Sequence, residues 1–89
     1  MISQLAPDFI NKLKKQKIII RKSFKDKFLI FSKNPYDPQL NNHKLKDKWS
    51  GYRSIDINKD LRVIYDEIQE GKEKIAYFVA IGTHKELYR

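Results

Sequence analysis

Two runs that alternate apolar and polar residues, Tyr52–Ile57 and Leu61–Ile68, flank Asn58-Lys59-Asp60. Period-two alternation belongs to strands, because successive side chains leave opposite faces of the backbone. Asn and Asp bond their own backbone and favour turns. The stretch is therefore predicted to be an antiparallel hairpin. Ile55 and Ile57 take one face, with Tyr52, Ser54 and Asp56 on the other. On the return strand Leu61, Val63 and Tyr65 share a face, and Arg62, Ile64 and Asp66 point the opposite way. Lys74–Ile81 is apolar on both faces, so it is expected at the centre of the sheet. A turn at Gly71 leads into it, and Gly82 is expected to end it.

The chain before the hairpin reads as helical. Met1–Ala6 could add an edge strand. Pro7 suits the first position of a helix and Asp8 its first turn. Phe9, Ile10 and Leu13 then fall on one face. After a basic break at Lys14–Lys17, Ile20, Phe24, Phe28 and Phe31 recur at helical spacing. Lys22, Lys25 and Lys27 fill the other side. Pro35 stops this helix, because the residue before a proline is pushed out of the helical region. The Phe stripe is read as core. Asn34–Asn42, with its prolines and asparagines, is read as loop. The expected fold is α+β: two N-terminal helices packed on one face of a twisted, mainly antiparallel β-sheet, as a single domain spanning residues 1–89. The other face is expected to be uncovered.

Composition narrows the chemistry. There is no cysteine, which excludes disulfides and thiolate metal sites and suits a reducing cytoplasm. No apolar run approaches membrane-spanning length, and no signal peptide is visible. The net charge of +8 is uneven. Residues 1–50 hold twelve Lys or Arg against four Asp or Glu, whereas residues 51–89 hold seven of each. A one-sided basic surface favours a polyanionic partner such as nucleic acid.

The chemistry-bearing residues gather toward the sheet. His43 precedes the hairpin in a loop that also carries Lys44, Lys46 and Lys48. Arg53, Asp56, Asp60 and Arg62 belong to the hairpin, and His84 and Tyr88 follow the last strand. Two imidazoles, a carboxylate, guanidiniums and a phenol are an inventory for acid–base chemistry on a phosphate ester. Imidazoles shuttle protons near neutral pH. A guanidinium binds the oxygens on which charge grows. An aromatic ring can stack on a splayed base, and RNA supplies its own 2′-OH nucleophile. Plainer roles are open to each. Either histidine could be structural, Asp60 could cap its turn, and Arg62 could simply pair with Asp56 or Asp66. Trp49 and Tyr65 could pack, and Lys44, Lys46 and Lys48 could be a solvated loop. No metal-ligand spacing is present, so neither a metal nor another cofactor is expected.

The segment HKLKDKWSGYRSIDINKDLRVIY (His43–Tyr65), followed by IGTHKELY (Ile81–Tyr88), resembles the RelE/ParE superfamily of toxins from type II toxin–antitoxin systems. The resemblance is strongest to its YafQ-like mRNA interferases. It covers His43 to the C-terminus, and the helical half matches in layout. It implies a RelE-like fold and an endoribonuclease that enters the ribosomal A site. There, without a metal, it drives attack of the 2′-OH of mRNA on the adjacent phosphate. Position by position, His43, Asp60 and His84 match the acid–base set, with His43 or Asp60 as base and His84 as acid. Tyr88 matches the terminal aromatic, and Arg62 matches a RelE arginine on the scissile phosphate. Arg53 is a shared basic position, set with Arg62 on the phosphate and grouped with Lys46 and Lys48 as substrate-binding. The implied partners are a cognate antitoxin protein, mRNA and the 70S ribosome, with no membrane. The chain departs from the YafQ-like pattern at Ser54, Asp56 and Leu61, and Arg62 is a feature of RelE. The alternative within the superfamily is a ParE-like toxin that inhibits DNA gyrase by binding alone.

Overall fold

A computed structural model describes residues 1–88. The elements run β1 (Ile2–Leu5), α1 (Pro7–Lys14), α2 (Ile18–Lys33), β2 (His43–Lys44), β3 (Tyr52–Asp56), β4 (Leu61–Glu70), β5 (Glu73–Thr83) and α3 (His84–Leu87). Short 3-10 turns, Pro38–Leu40 and Asp47–Trp49, precede and follow β2. One five-stranded sheet has the order β1-β5-β4-β3-β2. All pairings are antiparallel except β1 with β5. The fold is α+β, with α1 and α2 on one face of a mostly antiparallel sheet.

The helices sit where the sequence placed them. Pro7 opens α1 with Asp8 in its first turn, and Lys12 and Lys14 occupy its last turn. Those charges complement the positive start and negative end of the helix dipole. α2 ends at Lys33, and Asn34 before Pro35 is extended (φ −153°). Phe9, Phe24 and Phe31 bury against Phe78 of β5 and Tyr65 of β4. Ring centroids in this cluster lie 5.2–6.4 Å apart at tilted or edge-on angles. Those angles set positive ring edges toward negative faces. Leu40, fully buried in its short turn, ties the loop after α2 to the core.

The pairing between β4 and β5 slips once. Ile64 faces Ala80, but Tyr65 faces Phe78, so Val79 is an extra residue in β5. This bulge lets Phe78 and Ile81, three positions apart, both reach the helix-packed core.

The expectation of an uncovered second face is corrected. Ser54 and Ile64, paired across β3 and β4, are fully buried yet lie outside the main cluster. α3 crosses this face over Gly82, and Leu87 of α3 is buried. The Trp49 indole N–H donates to the Leu87 carbonyl at 2.7 Å, joining the loop after β2 to the tail. β5 also runs one residue past Gly82. Gly82 makes room for this close approach: an added Cβ would stand 3.3 Å from Glu86 Oε1 and 3.4 Å from Leu87 Cδ2, so α3 would have to give by a few tenths of an ångström. No helix among the described residues is long and apolar enough to cross a membrane.

Candidate acid–base groove

His43, on β2, pairs with Ser54 and so shares a face with Asp56 and Arg62 two and more positions along. Its Nδ1 lies 2.8 Å from the Asn41 carbonyl. A carbonyl only accepts, so Nδ1 carries the proton and donates. In the neutral ring the lone pair is then on Nε2. Asn41 can present that carbonyl because it adopts a left-handed conformation (φ 49°), which Asn tolerates better than most side chains. The Asn41 side-chain amide donates to Asp56 Oδ2 at 3.3 Å. Asp56 Oδ1 in turn lies 3.3 Å from Arg62 Nε, an ion pair between half-buried side chains. Asn41 thus couples the imidazole to the guanidinium. Arg62 Nη1 is buried and forms no hydrogen bond among the described residues. The Arg62 side chain as a whole is 21% exposed, which leaves other parts of the guanidinium to face an anionic oxygen.

The tail delivers the rest. Thr83 and Glu86 form a capping box: Thr83 Oγ1 accepts from the Glu86 N–H, and Glu86 Oε1 accepts from the Thr83 N–H at 2.8 Å. The box fixes the start of α3 and therefore His84, its first residue. The Tyr88 N–H donates to the His84 carbonyl, and the two rings meet at 4.5 Å between centroids. The Tyr88 hydroxyl is buried without a hydrogen-bond partner among the described residues.

His43, Lys46, Arg62, His84 and Tyr88 line one open groove of about 330 Å³, together with Lys44, Leu45 and Asp47. Asp60 lines an adjoining concavity of about 430 Å³ that shares Arg62 and His84. Its side chain is exposed. Asn58, not Asp60, caps the turn, accepting from the Asp60 and Leu61 N–H groups at 2.9 Å each. Lys48 is exposed and lines neither concavity. Arg53 pairs with Tyr65 and Lys44, which puts it on the other face of the sheet. There its Nε donates to Asn42 Oδ1 at 2.7 Å, and its guanidinium lies over the Tyr36 ring at 5.4 Å. Trp49 and Tyr65 are packing residues: Trp49 meets Tyr52 edge-on, and Tyr65 is fully buried. Burial pushes the Tyr65 phenol up from 10.0, against the opposing hydrogen bond from Asn42 and the charge of Arg53.

Asn41 and Asn42 escaped the reading of the sequence as groove-building residues. The signal was present, because an Asn doublet before a charged strand favours a left-handed residue and side-chain-to-backbone bonds. Asn42 donates to the Pro35 carbonyl and to the Tyr65 hydroxyl while accepting from Arg53. It holds the loop that positions His43.

An antiparallel sheet with two helices on one face and an imidazole-bearing tail on the other defines a RelE-like toxin fold. The YoeB/ParE toxin from Agrobacterium tumefaciens superposes with a TM-score of 0.73 at 16% identity, covering 94% of this chain and 99% of that one. YafQ from E. coli strain BL21(DE3) gives 0.68 at 24% identity, covering 98% and 97%. The E. coli DinJ–YafQ complex gives 0.65 at 25% identity with the same coverage. No curated protein sequence matches the chain. Residues 4–89 match the family described as "Bacterial toxin of type II toxin-antitoxin system, YafQ". The chain belongs to that family.

Proposed function

We propose that this toxin is an endoribonuclease that cleaves mRNA on the ribosome, by acid–base attack of the 2′-OH on the adjacent phosphate. The observation that carries the reading is the orientation of His43. Its Nδ1–H is committed to the Asn41 carbonyl, and its Nε2 lone pair is left to act in a groove shared with Arg62 and His84. His43 Nε2 takes the proton of the 2′-OH as the oxygen bonds to phosphorus. The Arg62 guanidinium donates to the phosphate oxygens as their charge grows. His84 gives a proton to the departing 5′-oxygen, leaving a 2′,3′-cyclic phosphate and a 5′-OH. Tyr88, edge-on to His84, steadies that ring, and Lys46 attracts the RNA backbone. Asp60, beside Arg62 and His84, is the second candidate base. Every proton in this scheme is moved by a side chain, so the reaction needs no metal. Arg53, on the far face, is not assigned to the scissile phosphate.

A small antitoxin protein is proposed as the partner that restrains the toxin. The DinJ–YafQ complex at 25% identity supports that pairing, and an acidic segment would suit the +8 charge. Primer extension on mRNA from cells expressing the chain tests the activity, with cuts expected within reading frames. His43→Gln and His84→Gln should each abolish them. Intact messages alongside continued growth arrest would refute cleavage. Gyrase inhibition that survives both substitutions would establish the ParE-like binder instead.

A further inference from the structure

A second concavity lies apart from the acid–base groove. It holds about 470 Å³ and is lined by Tyr36, Lys44, Tyr52, Arg53 and Glu67, with Gly51 at its rim. It lies behind the groove. His43 and Lys44 are successive residues of β2, so their side chains leave opposite faces. His43 serves the groove, and Lys44 stands beside Arg53 in the second concavity. β2 is the last strand of the sheet and only two residues long. A chain passing from one concavity to the other therefore crosses a single edge strand, about 5 Å wide.

The concavity is built rather than incidental. Arg53 is fixed twice, by its bond to Asn42 and by its place over the Tyr36 ring. Tyr36 is itself 52% exposed, an aromatic face held at a surface by a turn in which its N–H donates to Asn34 Oδ1. Glu67 is half-buried, and one of its oxygens lies 3.4 Å from Lys74. The side chains on this face comprise one exposed tyrosine, two cations and one carboxylate.

We infer that this concavity is a nucleotide subsite that takes a flanking base of the same single-stranded RNA. The inference rests on the proposed ribonuclease activity and extends it to a second point of contact. A base stacks on the exposed tyrosine, since every base presents a π face. Lys44 and the free N–H groups of Arg53 meet its phosphate. The carboxylate sets a preference. Only guanine offers two adjacent N–H donors, N1–H and N2–H, on its Watson–Crick edge, so Glu67 favours guanine over the other bases. An acidic peptide is disfavoured, because Glu67 would repel it.

The test is an NMR titration of the full-length His43→Gln chain, silenced in the groove, with 5′-GMP, 5′-AMP, inorganic phosphate and oligoglutamate. GMP should shift the amides of Tyr36, Tyr52 and Arg53 and bind at least several-fold more tightly than AMP or phosphate. Tyr36→Ala should weaken GMP by roughly 5- to 150-fold, the span seen when one stacking ring is removed. Tyr36→Phe should restore it, and Glu67→Gln should erase the preference over AMP while leaving distant amides unmoved. Shifts confined to Arg62, His84 and Tyr88 would overturn the inference. So would equal binding of phosphate alone, or stronger binding of oligoglutamate. GMP binding is read without cleavage, so a chain that binds GMP here but cuts no mRNA would refute only the ribonuclease reading.

Discussion

Replacing Asn42 with alanine should destabilise the protein far more than a polar loop residue would suggest. Its amide donates to the Tyr65 hydroxyl at 2.8 Å and to the Pro35 carbonyl at 2.9 Å, and its oxygen accepts from Arg53 Nε at 2.7 Å. Tyr65 is 0% exposed, so its hydroxyl cannot turn to water when Asn42 is gone. An unmet buried hydroxyl costs about 1–3 kcal/mol. Arg53 and Pro35 are only half-buried and rehydrate, so losing those bonds adds about 1 kcal/mol together. The total is about 2–4 kcal/mol, a fall in Tm on the order of 10–25 °C for a chain of this size. Tyr65→Phe alone removes the hydroxyl and should cost about 1 kcal/mol. In the double variant no orphan hydroxyl remains, so its cost should fall short of the sum by about 1–2 kcal/mol. Urea unfolding of the four proteins, all carrying His43→Gln, measures the cycle. Additivity within about 0.5 kcal/mol would refute the coupling through a buried hydroxyl.

The Tyr65 phenol titrates higher folded than unfolded, so its contribution is intact below its ordinary value of 10.0 and is lost as pH rises through the folded value. Urea midpoints measured from about pH 9 to 11 should fall more steeply for the parent chain than for Tyr65→Phe. Arg62→Gln should lower mRNA cleavage by about 10²–10³-fold, the usual cost of losing an anion-stabilising donor. It should change stability by no more than about 1 kcal/mol, because the pair with Asp56 is partly solvated. Gly82→Ala should press on Glu86 and Leu87, shifting α3 by tenths of an ångström. Cleavage should drop roughly tenfold through misplacement of His84 and Tyr88, with a stability loss of about 1 kcal/mol by thermal melting.

The larger elements were legible because their periodicity is long enough to read. The Phe24, Phe28 and Phe31 spacing marked α2, and alternation marked the hairpin formed by β3 and β4. The two residues of β2 and the four of α3 are too short for any period, and tertiary contacts hold them. α3 still left a trace in Thr83 and Glu86, a capping box spelled at the right interval. His43, Lys46, Arg62, His84 and Tyr88 meet in one groove, because the strand phases that put Ile55 and Val63 in the core send Arg62 the other way. The same alternation put Arg53 in phase with Ile55, on the helix-packed face, and reading it beside Arg62 overlooked that phase. Ser54, small and polar, gave no hint of burial. It lies on the face that α3 crosses over Gly82.

The slip at Val79 has a bearing on how this toxin can vary. Upstream of that position β5 feeds Phe78 to the helices, and downstream it hands the tail to the opposite side, with Gly82 beneath α3. Val79 opposes no residue of β4, so a one-residue deletion between Phe78 and Gly82 can be absorbed by closing the bulge, with Gly82 still opposite Arg62 and the trailing imidazole still on its surface; a one-residue insertion finds no such slack. Drift among relatives should therefore appear in this segment as substitutions or as loss of the one bulged residue, and as insertions only in the turns on either side.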